Sequence, residues 1–285
     1  ARSWPLLEAA PAVLRCLAAV GAVTARGGAI VAATKTDLKR ILAYSTVSHL
    51  GLMTMAIGVK AVPVAILHLV THAFFKALLF LCAGNVFHAV GKSSAGIAEV
   101  GGLRRHLPFT FWAFAAGAAS LAGLFPFGGF FSKDRVLDAA WHSGGPVLFL
   151  ASLLIAAISA FYITRMFILV FLGPAPRQRP PAEGHEPDWS MKAPVLLLAV
   201  GAVLGGLWAG PFSELLANSP GYAFEPLPPL APVISALGMA CAAAGCLAAY
   251  AACRRSPDWD WDWRAAQPNL ASWLDGDFGW QAFVA

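Results

Sequence analysis

Charged residues are scarce in this sequence of 285 residues, of which only 12% are Asp, Glu, Lys or Arg. Hydrophobic residues make up 58%, and the mean hydropathy is +0.66. A water-soluble domain of this length does not need so large an apolar share, so the composition excludes an ordinary soluble protein and indicates a membrane protein with several spans. The net charge of +5 is modest and lies between the apolar runs, and nothing in it indicates binding to nucleic acid.

Redox and metal motifs are also absent. The five cysteines form no CxxC pair and lie in or beside apolar runs, so they are predicted to be small buried side chains. No haem, flavin or iron–sulfur ligand pattern is present, and we expect no cofactor on this chain. The sequence begins without methionine, and we expect it to be a fragment of a longer protein.

Seven apolar segments are long enough to cross a membrane, for which about 20 residues are needed. They cover residues 9–33, 41–59, 61–90, 109–141, 146–172, 193–212 and 230–252. Lys and Arg are concentrated in alternate connections between these segments. By the positive-inside rule these basic connections are cytoplasmic, which places the N-terminus of the chain outside. We therefore predict an all-α, polytopic membrane bundle of about seven transmembrane helices.

The fourth segment is too long for one straight crossing and contains a helix-breaking stretch. Pro126 removes a helix hydrogen bond, and the glycines around it lower the cost of unwinding. We predict a helix that is broken into two halves near the bilayer midplane, as in transporters that expose backbone dipoles to a bound ion. Lys133 and Asp134 directly follow the break, which makes them candidate functional residues.

Three ionisable side chains form a stripe on the third segment. His68, His72 and Lys76 are spaced by four residues in an otherwise apolar run, so they share one helix face over about 12 Å. Ionisable groups at membrane depth cost about 3 kcal/mol or more and mark ion or proton paths. Histidine titrates near neutral pH, so the stripe predicts a proton relay. Two histidines four residues apart also suit zinc, but no Glu or Cys accompanies them and Lys76 would repel the cation.

The second segment adds two more candidates. It opens with Lys39 and continues to His49, which lies about 80° round the helix from Lys39. Either residue fits a place in the relay, and each also fits a purely structural role at the membrane surface or inside the bundle.

Four ordered blocks of sequence identify a family. The blocks are 36–46, 68–86, 101–104 and 129–134. They resemble the large antiporter-like subunit of respiratory complex I, which is called subunit L or subunit five of NADH:quinone oxidoreductase. The likeness runs over nearly the whole chain. His49 is a departure, because glutamine is common there in subunit L, whereas histidine is seen in Mrp-type sodium/proton antiporters.

The resemblance implies a domain organisation and a set of site residues. Residues 1–173 would be the second of two antiporter-like five-helix repeats, with its broken helix at 109–141. A cytoplasmic loop at 174–192, two additional transmembrane helices at 193–252 and an interfacial Trp- and Asp-rich tail at 253–285 would follow. By position, Lys39, His68, His72 and Lys76 correspond to the central hydrophilic axis of the family. Lys133 corresponds to the ionisable residue of the broken helix, and Asp134 to its acidic neighbour.

The resemblance also implies an activity. The chain would be a non-redox subunit that moves protons while quinone is reduced elsewhere in NADH:quinone oxidoreductase. NADH, FMN, the iron–sulfur clusters and quinone would be bound by partner subunits. The partners would be other membrane subunits of complex I, above all the neighbouring antiporter-like ones, in the inner (plasma) membrane of a bacterium. Three alternatives stay open: an Mrp-type antiporter subunit, a bicarbonate-concentrating membrane subunit of the same ancestry, and a non-conducting scaffold.

Overall fold

The computed structural model describes residues 4–91, 96–97, 100–174, 186–208, 211–212, 214–215, 231–255, 269 and 271–272. Its helices are α1 (Trp4–Glu8), α2 (Pro11–Thr34), α3 (Leu38–Gly58), α4 (Val62–Val90), α5 (Pro108–Ala122), α6 (Gly128–Ala139), α7 (Gly145–Phe167), α8 (Trp189–Leu204) and α9 (Pro232–Arg255). Two π-helical segments, Ala140–Gly144 and Ile168–Leu172, follow α6 and α7. Within these residues the β-type pairing is limited to an isolated bridge between Asp37 and Gly96. The predicted all-α class is confirmed.

Five helical segments of the described chain are long and apolar enough to cross a membrane. They are Pro11–Thr34, Leu38–Gly58, Val62–Val90, Gly128–Leu172 and Pro232–Arg255. The apolar helices α5 and α8 are shorter, with 15 and 16 residues. Every apolar segment predicted from the sequence contains a helix, which confirms the polytopic membrane bundle. The predicted loop at 174–192 and the predicted tail at 253–285 lie mostly outside the described residues.

Helices α2 and α3 approach each other so closely that a glycine is required at their contact. A Cβ atom added to Gly21 would lie 2.4 Å from the backbone nitrogen of Met55. Small residues permit such an approach between helices that gain no hydrophobic free energy from meeting in lipid. The Oγ of Ser48 also donates a hydrogen bond of 2.7 Å to the Ala25 carbonyl. The next residue of α3, His49, is buried inside the bundle.

The predicted break separates α5 from α6. Helix α5 ends at Ala122, the next residue, Gly123, has a φ of +83°, and α6 begins at Gly128. A Cβ atom added to Gly129 would lie 1.8 Å from the Ser120 carbonyl oxygen, so the start of α6 packs directly on the end of α5. The prediction of a broken helix is confirmed. The amides of Gly123 and Leu124 bond to the Ala119 and Ser120 carbonyls, and the break leaves the Leu121 carbonyl to accept from a side chain.

Helices α6 and α7 form an antiparallel hairpin. The Nζ of Lys133 lies 3.0 Å from the Oγ of Ser159, 26 residues later. A straight helix would separate such residues by about 39 Å, so the chain must reverse between them. It does so at Gly145, which has a φ of +78°. A Cβ atom added to the neighbouring Gly144 would lie 3.2 Å from the side chain of Val59. The hairpin turn and the α3–α4 connection therefore lie at the same end of the bundle, and we call this end the turn end.

Arg165 of α7 marks the opposite end of the bundle, which we call the basic end. The guanidinium donates from Nη2 to the Lys35 carbonyl at 3.0 Å and from Nη1 to the Ala33 carbonyl. These carbonyls lie at the C-terminus of α2, where backbone oxygens lack helical partners and the helix dipole is negative. Arg165 is only 2% exposed, so it ties α7 to α2 inside the bundle. Lys39, in the first turn of α3, lies at this same end.

Helices α8 and α9 pack against the helices that come before them. An atom added to Gly201 of α8 would lie 2.3 Å from the Phe74 ring of α4. An atom added to Gly245 of α9 would lie 2.2 Å from the Ala157 carbonyl oxygen of α7. Helix α9 therefore runs beside α7, and its Gly238 faces Leu137 of α6.

Candidate functional site

Three histidines meet between α3 and α4, and we call them the histidine cluster. His49, His68 and His72 are 1%, 0% and 5% exposed. The Nδ1 of His49 lies 2.9 Å from the Nε2 of His68, and these two rings stack with centroids 5.2 Å apart. The ring of His72 lies 5.2 Å from that of His49. Two of the predicted relay residues and the further candidate, His49, are thus in contact.

The histidine cluster is joined to the broken helix by a serine. The Nδ1 of His68 lies 3.0 Å from the Oγ of Ser132 on α6, and Thr71 donates to the same oxygen at 2.7 Å. Both ring nitrogens of His68 therefore have hydrogen-bond partners, one on α3 and one on α6. Ser132 directly precedes Lys133, so the stripe on α4 is hydrogen-bonded to α6 one residue before the lysine that follows the break.

Two arrangements of the protons satisfy these contacts. In the first, His49 Nδ1–H donates to His68 Nε2, and His68 Nδ1–H donates to Ser132 Oγ. In the second, Ser132 O–H donates to His68 Nδ1, and His68 Nε2–H donates to His49 Nδ1. In both, the buried His49 Nε2 has no partner among the described residues, being a lone pair in the first and an N–H in the second. The first arrangement becomes the second in one proton passage. One proton binds to His49 Nε2, the Nδ1 protons of His49 and His68 move to His68 Nε2 and Ser132 Oγ, and the original hydroxyl proton leaves Ser132.

Lys76 lies one turn beyond His72 and points to α3. Its Nζ donates to the Leu42 carbonyl at 2.9 Å and also to the Oγ of Ser45. The side chain is 5% exposed. The structure therefore places Lys76 next to the histidine cluster, as the helical spacing predicts.

Lys133 is held at the break itself. Its Nζ donates to the Leu121 carbonyl, near the end of α5, at 2.5 Å and to the Oγ of Ser159 on α7 at 3.0 Å. Since the last carbonyls of a helix have no helical partner, the break provides an acceptor that a straight helix would not. Lys133 is 6% exposed.

Asp134 faces away from the histidine cluster, toward α9. Its Oδ2 accepts a hydrogen bond of 2.7 Å from Ser235. Its Oδ1 is buried and has no hydrogen-bond partner among the described residues. A small cavity beside it is lined by Lys133, Asp134 and Gly238, among others. This acid therefore lies on the side of Lys133 opposite to Ser132 and contacts a helix outside the first 173 residues.

Lys39 lies apart from these residues. Its side chain is exposed at the basic end, and its ammonium lies 5.0 Å from the centre of the Phe87 ring. In the described part of the chain, no group of three or more His, Cys, Asp or Glu side chains is arranged to hold a metal ion.

Several residues of this network were not among the sequence candidates. They are Ser45, Thr71, Ser132, Ser159 and Arg165. Hydroxyls in apolar helices usually bond back to their own helix, as Ser159 also does with the Ile155 carbonyl at 2.6 Å, so they carry no signal alone. Only Ser132 could have been suspected, because it adjoins Lys133 in the broken helix.

The sequence comparisons identify the family. The family described as "NADH:quinone oxidoreductase/Mrp antiporter, TM" matches residues 1–159, more than half of the chain. The chain belongs to this family. The match ends inside α7, so α8 and α9 lie beyond the part of the family that is described by it.

Relatives in this family are subunits of respiratory complexes. Subunit L of the NADH-quinone oxidoreductase of Rickettsia typhi is 41% identical over 229 residues, which cover 80% of this chain and 34% of that protein. Subunit L of Mycobacterium tuberculosis is 44% identical over 210 residues, covering 72% and 33%. The NAD(P)H-quinone oxidoreductase chain 5 of Synechocystis is 36% identical over 273 residues, covering 79% and 40%. The chain thus spans between 33% and 40% of the length of these relatives.

Two solved structures share the fold. A chain of the membrane-bound sulfane sulfur reductase, an archaeal respiratory membrane complex, matches with a TM-score of 0.65 and 27% identity over 71% of this chain and 34% of that chain. A chain of the Mrp complex from Dietzia matches with a TM-score of 0.62 over 83% of this chain and 48% of that chain. Identity to the second is 20%, so this likeness concerns the fold alone.

Proposed function

We propose that this chain forms one antiporter-like repeat, with two further helices, of the proton-translocating membrane subunit of NADH:quinone oxidoreductase. Protons move through the polypeptide, while NADH, FMN, the iron–sulfur clusters and quinone are bound by partner subunits. The partners are the other membrane subunits of the complex, in the plasma membrane of a bacterium. Family membership and relatives that bear the name of this complex at 36% to 44% identity support the proposal.

The observation that carries the proposal is the row of hydrogen bonds that runs from His49 through His68 to Ser132. It crosses three helices, and all three side chains are at most 1% exposed. Burying ionisable groups in a membrane bundle costs free energy. Their alignment in a continuous network is therefore better explained by a role in transport than by a role in packing. This row of hydrogen bonds ends at Ser132, and the next residue, Lys133, contacts the end of α5 at the break.

Each predicted site residue has a place in this proposal. His68 and His72 exchange protons in the centre, and His49 holds His68 through a hydrogen bond. Lys76 and Lys133 hold protons on the two sides of the histidine cluster. Coupled groups of this kind titrate together and share macroscopic proton affinities. Lys39 supplies positive charge where protons enter at the basic end, and Asp134 receives protons beyond Lys133.

The basic end is proposed to face the cytoplasm. Lys35, Lys39 and Arg165 lie there, whereas the hairpin turn of α6 and α7 holds no Lys or Arg, which follows the positive-inside rule. The turn end, and with it the N-terminus of α2, then faces outward. A cysteine in place of the exposed Ser143 should react with a membrane-impermeant thiol reagent only from the outer side.

The deciding experiment replaces Lys133 with alanine in the complete complex. Proton uptake into inverted membrane vesicles is measured together with NADH:quinone oxidoreduction. We expect pumping to fall by about tenfold or more with quinone reduction less affected, because a relay group has been removed. The matched control is Arg15→Ala, which removes a positive charge from an exposed site on α2. An unchanged ratio of protons to electrons in Lys133→Ala would refute the proposal.

An Mrp-type antiporter is the second candidate. The family description includes Mrp antiporters, and the Dietzia Mrp complex has the same fold. This candidate predicts proton flux that depends on sodium and needs no NADH oxidation. Flux assays with sodium replaced by choline, with and without NADH, separate the two functions.

A further inference from the structure

Helix α6 carries a row of titratable residues of which the proposed relay uses only the first, Asp134. Asp134, Asp138 and His142 are spaced by four residues, so they share one face of α6 and of the π-helical segment that follows it. Asp134 is 2% and Asp138 5% exposed, whereas the side chain of His142 is 65% exposed. The row therefore leads from the buried break to the surface.

Contacts are observed at both ends of the row, between Asp138 and His142 and at the cavity that Asp134 shares with Lys133, and Asp134 precedes Asp138 by one helical turn. The Nε2 of His142 lies 3.5 Å from the Oδ1 of Asp138. At the other end, Asp134 and Lys133 line the same small cavity, and the unpartnered Oδ1 of Asp134 is buried there. A buried carboxylate oxygen without a partner is costly and marks a place where a proton or a water molecule is bound.

The row ends at the turn end of the bundle. His142 lies in the segment Ala140–Gly144, which leads directly into the hairpin turn beside Val59. Lys39 and Arg165 lie at the other end. A proton that leaves Lys133 along this row therefore emerges on the side opposite to the basic end.

Helix α9 forms the wall of the cavity. Ser235 holds the Oδ2 of Asp134, which leaves Oδ1 turned to the cavity. A Cβ atom added to Gly238 would lie 2.7 Å from Leu137 and 3.8 Å from Asp134 Oδ1. Glycine at this position thus keeps open the space above the free carboxylate oxygen.

We propose that Asp134, Asp138 and His142, enclosed by α9, form the exit path for protons from Lys133. The Lys133 ammonium gives one proton through a water molecule in the cavity to Asp134 Oδ1, so an N–H bond breaks and an O–H bond forms. The proton passes next to Asp138, then to the ring of His142, and leaves that ring for bulk water. One proton enters, one leaves, and no electron moves.

This inference rests on the proposed function, and its test uses the same complete complex in membrane vesicles. Asp138→Asn keeps the size of the side chain but cannot carry a proton, and we expect pumping to fall by about tenfold at unchanged quinone reduction. His142→Ala should lower pumping by about threefold, and added imidazole should restore it, because a small base replaces the missing side chain. A structural role for His142 would not be rescued by imidazole.

The role of α9 is tested by filling the cavity. Gly238→Val should lower pumping by about fivefold by displacing water from Asp134, and Gly238→Ala should have a smaller effect. The control is Ala244→Val, which places the same side chain at an exposed position of α9. Assembly is measured on native gels, and pumping is expressed per assembled complex.

The outcomes separate the two proposals. If Lys133→Ala leaves pumping intact, the proposed function is wrong. If Lys133→Ala abolishes pumping while Asp138→Asn, His142→Ala and Gly238→Val pump like the unmodified complex, the relay stands and the exit path is overturned.

Discussion

Lys76 and Lys133 each donate to one backbone carbonyl and one serine hydroxyl, but the two carbonyls differ. The pairs are Leu42 and Ser45 for Lys76, and Leu121 and Ser159 for Lys133. The Leu42 carbonyl lies inside the intact helix α3 and already accepts from the hydroxyls of Ser45 and Thr46 at 3.0 Å each. The Leu121 carbonyl lies in the last turn of α5, where it has no helical partner.

The comparison shows what a broken helix contributes. Neither amine forms an ion pair with a carboxylate in the part of the chain that the structure describes. Charge on either lysine must therefore be stabilised by dipoles of carbonyls and hydroxyls. At Lys133 the break provides a carbonyl that has no helical donor. The carbonyl that Lys76 contacts also accepts from the hydroxyls of Ser45 and Thr46. In the proposed relay, Lys133 is thus expected to be the better site for holding a proton before it leaves.

The largest effect is expected from closing the break. In Gly129→Ala, the added Cβ would lie 1.8 Å from the Ser120 carbonyl oxygen, a backbone atom that cannot move aside. Overpacking of this kind costs about 1–3 kcal/mol or more. We expect the amount of assembled complex on native gels to fall by well over tenfold. Gly84→Ala is the control, since nothing lies within 4 Å of its added Cβ, and equal assembly of both variants would contradict this account of the junction.

A smaller effect is expected from removing the link between the histidine cluster and the break. Ser132→Ala deletes the hydroxyl that contacts His68, so we expect about tenfold slower proton pumping at near-normal assembly. Ser132→Thr retains a hydroxyl and should keep most of the pumping. Vesicle acidification per NADH oxidised is the measurement. Equal losses in both variants would indicate a packing role instead.

The two serines that accept hydrogen bonds from the lysines, Ser45 from Lys76 and Ser159 from Lys133, allow a direct comparison. Hydrogen bonds to charged groups contribute about 1.5–3 kcal/mol each. Ser159→Ala should slow pumping by about threefold, and Ser45→Ala by less, because loss of the Ser45 hydroxyl also frees the Leu42 carbonyl for Lys76. The same vesicle assay ranks the two variants. A stronger effect of Ser45→Ala would show that the free carbonyl at the break is not the deciding difference.

The smallest effect is expected at His49. Glutamine at this position can still form a hydrogen bond to His68 Nε2. Glutamine is also common at this position in subunit L, which the sequence resembles. His49→Gln should therefore pump within about twofold of the unmodified complex, whereas His49→Leu, which cannot hydrogen-bond, should lose more. If glutamine were as damaging as leucine, proton exchange by His49 itself would be required.

Much of the fold could be predicted because its signals are local. Apolar runs of sufficient length predicted the helices, and Pro126 with its neighbouring glycines predicted the break between α5 and α6. The position of Lys39 was harder to predict. Helical spacing relates it to His49 on the same helix, but that spacing does not reveal how far into the bundle the first turn of α3 reaches, and the side chain lies exposed at the basic end.

The polar contacts between helices could not be predicted. Arg165 follows an apolar run near a loop, which is typical of a side chain that extends to the membrane surface, yet it is buried against the end of α2. Ser132 is one of many hydroxyl residues in these membrane helices, and its contact with His68 is visible only when α4 packs against α6. Each of these contacts depends on which helices pack together and at what depth.

The sequence by itself determined the helices, the break and the shared face of His68, His72 and Lys76, because the pitch of a helix and the exclusion of charge by lipid act on residues close together in the chain. Only the tertiary structure decided the partners of these groups. His68 meets Ser132 across 64 residues, and Arg165 meets Lys35 across 130. Such contacts arise from the packing of whole helices, in which small residues set the approach, and no local pattern encodes them.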